Sequence, residues 1–254
     1  MMAVAYASFA MFAMLIEAVF GWGDGQARRR IINILLGSCG FAIAYTTATA
    51  LPIPSFQKLI DLRPWTSPIG LAATVLVQII LYDLLYWIWH FAQHHVPLLW
   101  RVHRLHHSDA AFDATTYLRQ HPLEATLQIV LLGAPLSWIL TIPPAASLIA
   151  GFVYAALDFW NHLGLRVSLG PLTRIVPGPQ LHRHHHALDR GLSAGNYAAF
   201  VPAWDILLGT FVLPEKGVFP LVGLWEADGV YDKTPPLKKA SADESRRTCL
   251  DDVE

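Results

Sequence analysis

Residues 83–95 read "DLLYWIWHFAQHH", and the fold turns on what precedes and follows them. They close an apolar run over 69–89, and the hydrocarbon core of a bilayer needs about 20 such residues for one helical span. On a helix continuing from that span, His90 and His94 are four residues apart, with Cβ atoms about 5–6 Å apart on one face. That spacing suits two ligands of one metal, or of neighbouring metals. Asp83 lies on the same stripe two turns earlier. A carboxylate so close to the cytoplasmic end of a membrane helix is costly without a partner. Its expected role is to accept a hydrogen bond from the second ring nitrogen of a ligand histidine.

Composition agrees with a membrane setting. The 254 residues are 54% hydrophobic and 15% charged, against about 25% charged in soluble chains. The formal net charge of -1 offers no basic face for nucleic acid. The two cysteines, Cys39 and Cys249, can build neither a disulfide framework nor a cysteine zinc site. A bound metal must therefore rest on histidine and carboxylate.

Apolar runs over 3–20, 31–51, 69–89, 125–141 and 144–160 predict an all-α bundle of four to five membrane helices. The last two are short and joined by "TIPP" (141–144), so they form either two spans or a hairpin that dips into the membrane. The first run lacks a basic leader and is followed by Arg28, Arg29 and Arg30, the reverse of a cleaved signal; it reads as a retained anchor. Placing those arginines in the cytoplasm puts all twelve histidines on the cytoplasmic side, in a histidine-rich helical cap. Three regions follow: anchor helices and an external loop over 1–68, a catalytic domain over 69–231, and a charged, disordered tail over 232–254.

The remaining histidines repeat a pattern. "HRLHH" gives His103, His106 and His107, and "HRHHH" gives His182, His185 and His186 at the same i, i+3, i+4 spacing, expected on one helical face, with His184 pointing elsewhere. His162 ends "DFWNH", with Asp158 one turn earlier. "RQHPLE" offers Arg119, His121 and Glu124. The eight box histidines exceed the four ligands of a tetrahedral zinc site, so the spacing argues for two metals. Imidazole alone does not choose the ion. Tyr82, Tyr86, Trp87, Trp89 and Trp160 fit an interfacial aromatic belt better than a lipid channel. In "WDILLGT" (204–210), Asp205 is a candidate for docking the cap or for capping a helix.

The order HxxxH, HxxHH, HxxHH resembles the fatty acid hydroxylase / sterol desaturase superfamily of membrane histidine-box di-iron oxygenases. The blocks "DLLYWIWH", "LWRVHRLHHSD", "FDATTYLRQHPLE", "HRHHH", "NY" (196–197) and "WDILLGT" follow that family's order over about 70–212. The resemblance implies metal ligation by His90, His94, His103, His106, His107, His182, His185 and His186, with His162 as a ninth ligand. It leaves His121, His184, Asp83 and Asp158 as additional or supporting residues, and assigns no residue a catalytic role beyond the metal. It also implies two irons, O2, and a lipid substrate, a sterol or fatty acyl chain, that is hydroxylated or desaturated. Electrons would come from an NAD(P)H-linked external donor through a reductase, ferredoxin or b-type cytochrome, because "GWGDG" near Gly21 lacks the strand and spacing of a nucleotide site. Phe91 stands where the family often has arginine, and His95 and His184 are extra. The compact chain favours the bacterial inner membrane. The alternatives are a non-redox zinc or iron transporter or sensor, and a carotenoid hydroxylase, whose first box usually has one residue more between its histidines.

Overall fold

The computed structural model describes residues 11–15, 17, 26–50 and 59–224. The span expected over 3–20 falls largely, and the charged tail over 232–254 wholly, outside the described residues. In chain order the elements are α1 (Ala27–Ala50), β1 (Ile60–Asp61), α2 (Pro68–His95) and α3 (Pro97–His107), then a 3-10 turn (Ala114–Leu118). They continue with α4 (Pro122–Gln128), a π turn (Ile129–Gly133), α5 (Ala134–Ile139), β2 (Leu140–Thr141) and α6 (Pro144–Asn161). A second 3-10 turn (Gly170–Arg174), α7 (Pro179–His185), α8 (Arg190–Ser193) and α9 (Ala203–Leu208) complete the cap.

Proline sets where these helices begin. Pro68, Pro97, Pro122, Pro144 and Pro179 occupy the first turns of α2, α3, α4, α6 and α7, where a missing N–H costs nothing and the fixed φ is already helical. Proline also forces the preceding residue out of the helical region. Val96 is therefore extended (φ -100°, ψ 115°), and the break between α2 and α3 allows the first histidine box to meet the second.

Three helices among the described residues are long and apolar enough to cross a membrane: Ala27–Ala50, Pro68–His95 and Pro122–Ile139, the last running through α4, the π turn and α5. These match the expected runs over 31–51, 69–89 and 125–141; α6, the expected run over 144–160, is not among them, and the run over 3–20 lies largely outside the described residues. These helices keep Ile31, Leu35, Phe41, Ile69, Leu76 and Ile88 exposed, a face that suits hydrocarbon rather than water. Small residues bring them together. Ala146 and Ala150 of α6 are fully buried against Val75 of α2, and Gly37 of α1 lies so close to the 3-10 turn that a Cβ would stand 2.9 Å from Leu118 Cβ.

The two ends of the bundle differ. At one end β1 and β2 pair in parallel, Ile60 with Leu140 and Asp61 with Thr141. The other end collects the C-terminus of α2, all of α3, the start of α4, the C-terminus of α6, and α7. Every one of those segments carries histidine. Helix α1 is tied to the same end: Arg29 binds Asp109 at 2.6 Å and also Asp113, and Arg30 binds Asp113 at 3.0 Å. The arginines read as a topology signal are thus also structural partners of the loop after α3.

Candidate metal centre

Nine buried or half-buried histidines converge in two groups. His90, His94, His103, His107 and His185 form one, and His106, His162, His182 and His186 the other; in each group the potential ligand nitrogens lie within 4.8 Å of one another. These are the nine ligand candidates of the sequence. The expectation that each HxxHH shares a single face needs correction. His103 and His107 turn to the first group and His106 to the second, while His185 turns to the first and His182 and His186 to the second. Residues four apart stack along one line of a helix, and the residue offset by three or one sits to the side of that line. Helices α3 and α7 therefore each contribute to both groups. The His107 and His186 rings stack at 4.2 Å where the groups meet.

Hydrogen bonds on the outer side of the rings fix their tautomers. His90 Nδ1 donates to the Tyr197 carbonyl (2.7 Å), His185 Nδ1 to Gly195 (2.9 Å), His162 Nδ1 to Asp158 (2.7 Å) and His106 Nδ1 to Arg119 (3.3 Å). His103 Nδ1 donates to Glu124 Oε1 at 2.8 Å. In each ring the other nitrogen, Nε2, is left as a lone pair facing inward. Yet His90 Nε2 and His103 Nε2 stand 3.1 Å apart, and His106 Nε2 and His162 Nε2 3.2 Å apart. Two lone pairs at that distance repel unless a cation lies between them. Ligands bound at roughly 2.0–2.1 Å from one metal stand roughly 3.0–3.4 Å from each other, which matches. His185 Nε2 is buried without a hydrogen-bond partner, as a lone pair awaiting a cation would be.

Electrostatics point the same way. Burial is the main cause, followed by neighbouring imidazoles, of the lowered pKa values of His106, His107, His182 and His186. Burial alone lowers His162 to about 4, against its carbonyl hydrogen bond, and dominates in lowering His185 to about 3. These rings are neutral at pH 7, the form that binds a metal.

The supports of the rings hold most of the surprises. Asp83 reaches no ring nitrogen, contrary to expectation. Its carboxylate accepts the backbone N–H groups of Ala199 (3.0 Å), Phe200 (3.1 Å) and Val201 (2.7 Å). Asp205 accepts those of Tyr197 and Ala198, both at 2.9 Å, as well as the Trp87 indole and the Thr210 hydroxyl. Five consecutive amides of one loop are thereby held by two buried carboxylates. The same loop's Tyr197 carbonyl orients His90, so Asp83 acts on the ring through the loop. Asn196 starts this loop in the left-handed region (φ 60°), which asparagine tolerates, and its side chain pairs with both backbone groups of Val212. Glu124, to which "RQHPLE" by itself assigns no role, is 2% exposed and also accepts from Gln93 at 2.8 Å. A second network leads to His106. Asn33 donates to Asp109 and Thr115, and Arg119, whose carbonyl holds His106, donates to Asn33 Oδ1 and Ser108. Glu17 accepts the amides of Ala114 and Gly164, tying the loop after α3 to that after His162.

The other candidates fall outside the two groups. His121 caps α4, its ring accepting the Leu123 amide. His184 turns away to the Val218 carbonyl. Asp158 supports His162 with its backbone carbonyl, while its carboxylate accepts from the Tyr117 hydroxyl. Tyr82 and Tyr86 line a cavity, and the Trp160 indole donates to the Pro177 carbonyl.

The fatty acid hydroxylase family model matches residues 75–210. The chain is 33% identical over 217 residues to alkylglycerol monooxygenase of Xenopus tropicalis, covering 81% of this chain and 46% of that protein. It is 29% identical over 217 residues to the ornithine lipid hydroxylase OlsE of Rhizobium tropici, covering 83% and 65%. With human alkylglycerol monooxygenase it shares 33% over 159 residues, covering 62% and 34%. The chain thus spans between about a third and about two thirds of the length of these relatives. No solved structure matches it. The family match runs over more than half of the chain and encloses both histidine groups, so this protein belongs to the fatty acid hydroxylase family.

Proposed function

We propose that this protein is an integral membrane di-iron oxygenase that hydroxylates an unactivated C–H bond of a lipid, using O2 and electrons from outside the chain. The observation that carries the reading is the pair of inward lone-pair contacts, His90 with His103 at 3.1 Å and His106 with His162 at 3.2 Å, one in each group. The donor set fits two metals, with five imidazoles in one group and four in the other. Iron, when bound, supplies the O2 activation and hydrogen removal that no side chain can perform. The relatives named as a monooxygenase and a lipid hydroxylase support that choice of reaction and substrate class.

The chain's own residues do the rest. Nine neutral imidazoles hold the metals without bringing compensating charge, and Glu124 adds a carboxylate behind His103, which raises that ligand's basicity. The loop over 197–201, clamped by Asp83 and Asp205, keeps His90 aimed and roofs the site. The apolar helices place the centre where a lipid can enter sideways from the bilayer. Electrons arrive from an NAD(P)H-linked reductase, ferredoxin or b-type cytochrome, and the site faces the cytoplasm of a bacterial inner membrane. Transport or sensing is disfavoured because the histidines gather at one end of the bundle instead of lining a path through it.

The test is isotopic. Iron-loaded protein is reconstituted with bacterial membrane lipids, a ferredoxin–reductase pair and labelled O2, and the lipids are read by mass spectrometry. One labelled oxygen atom in a lipid product is expected; full iron loading and electron delivery without incorporation contradicts the reading.

A further inference from the structure

The charged groups of the cap are sorted by sign. Among the described residues at the histidine end, the cations Arg28, Arg101, Arg104, Arg166, Arg174 and Lys216 are exposed, against the exposed carboxylates Asp189 and Glu215. Most of the other carboxylates there, among them Glu17, Asp109, Asp113, Glu124 and Asp205, are buried and hold partners within the fold. A chain whose formal net charge is -1 therefore presents a basic surface at this end.

Helix α3 carries the part of that surface nearest the metals. Its three histidines are buried, whereas Arg101 and Arg104, three residues apart and so neighbours on the helix surface, are both exposed. Arg104 also lies four residues after Trp100, one turn along the same line. Trp100 is half-buried, and its ring stands 5.2 Å from that of His94, 5.6 Å from that of His107 and 6.3 Å from that of His103, all members of the first group. The indole thus spans from the arginine line to the ligands. Among the described residues neither Arg101 nor Arg104 has a carboxylate partner, whereas Arg29, Arg30 and Arg63 each have one. Unpaired arginines beside a partly open tryptophan have the composition of a recognition surface, and their field steers an acidic partner toward it. A bilayer surface fits less well. Of the leucines and the valine within α3 only Leu98 is exposed, which leaves the helix little to insert.

We infer that the outer face of α3, with Arg101 and Arg104 at its centre and Trp100 beside them, docks a small acidic one-electron carrier. This rests on the oxygenase reading, which draws its electrons from outside the chain, and it places their entry at the first histidine group. At each encounter one electron leaves the carrier's reduced centre and converts a ferric ion to ferrous. The carrier departs oxidised, and no atom or proton is exchanged. Contacts of this kind are small and short-lived, and complementary charge sets how fast they form.

The experiment uses the full, iron-loaded ferric chain in nonionic detergent without O2. Two acidic carriers, a plant-type two-iron ferredoxin and the soluble haem domain of a b-type cytochrome, are titrated calorimetrically, with short-chain phosphatidylglycerol as a probe of anionic membrane surface. Titrations are run at about 0.01 M and about 1 M salt, where charges act over roughly 30 Å and roughly 3 Å. Stopped flow follows reduction of the iron by each reduced carrier and by dithionite. At least one carrier is expected to bind at low salt and to be released at high salt. Arg101→Glu with Arg104→Glu should weaken that binding at least about tenfold and slow carrier-driven reduction in parallel, with iron content and dithionite reduction unchanged. Arg166→Glu with Arg174→Glu makes the same charge change elsewhere on the cap and should alter binding less than about threefold. Absence of low-salt binding by both carriers, or equal weakening by the two double variants, overturns the inference. So does loss of phosphatidylglycerol affinity alone in the α3 variant, which would assign this face to the membrane surface. Labelled-oxygen incorporation into a lipid together with carrier binding indifferent to Arg101 and Arg104 would sink this inference alone. Salt-sensitive docking that the α3 variant loses, without any incorporation, would sink the oxygenase reading and leave the docking face standing.

Discussion

The two histidine groups are built from the same residue type but are held differently. The first group has five imidazoles; His103 donates to the buried carboxylate of Glu124, and His90 and His185 donate to carbonyls of the segment 195–197. The second has four, and there His106 and His162 donate to the neutral carbonyls of Arg119 and Asp158. Either acceptor orients a ligand ring and raises its basicity, and a charged carboxylate does so more strongly than a neutral carbonyl. The first group should therefore hold its metal more tightly. The second borrows its rigidity from a distance, through Arg119, Asn33 and the Arg29–Asp109 ion pair that reach back to α1.

That difference can be broken directly. Glu124→Gln keeps the shape and removes the charge, and should weaken metal affinity at the first group by about 10- to 100-fold while sparing the second; a chelator titration followed by metal analysis would resolve the two. Equal weakening of both groups would mean that they are one cooperative unit. A smaller effect, shared by the groups, is expected in the metal-free protein. The folded pKa values of His162 and His185 lie at about 4 and about 3 because burial disfavours the cation, whereas in the unfolded chain each histidine titrates at about 6.5. Over that interval the unfolded state binds more protons, so stability falls as pH drops from about 6.5 toward about 4. Denaturant midpoints in detergent should decline over this range. A flat profile would mean that these rings are not buried neutral.

How far the sequence carried the reading depended on whether a contact was local. The spacing of His90 and His94 places both in the first group because residues four apart share a helix face, and the same rule pairs His103 with His107. The division of each HxxHH between two groups was not legible, since it depends on how α3 and α7 cross, which no local pattern encodes. Asp83 was recognisable as a buried carboxylate needing partners, but its partners are the amides of 199–201, more than a hundred residues downstream. Glu124 stood in view within "RQHPLE", beside His121, and nothing in that stretch says which of the two turns inward; the helix starting at Pro122 decides it by using His121 as its cap. The arginines at 29 and 30 carried two meanings at once, a topology signal and a set of ion pairs, and only the fold reveals the second.

The most direct test of the two-metal account is metal stoichiometry by plasma mass spectrometry. Wild type, His185→Ala and His106→Ala would be purified anaerobically in mild detergent, with Mössbauer spectra after iron-57 enrichment. The account predicts about two irons per wild-type chain with coupled high-spin signatures, and loss of about one iron in each variant, from the group each histidine belongs to. Zinc alone after iron-replete growth, or full metal content in both variants, would contradict it.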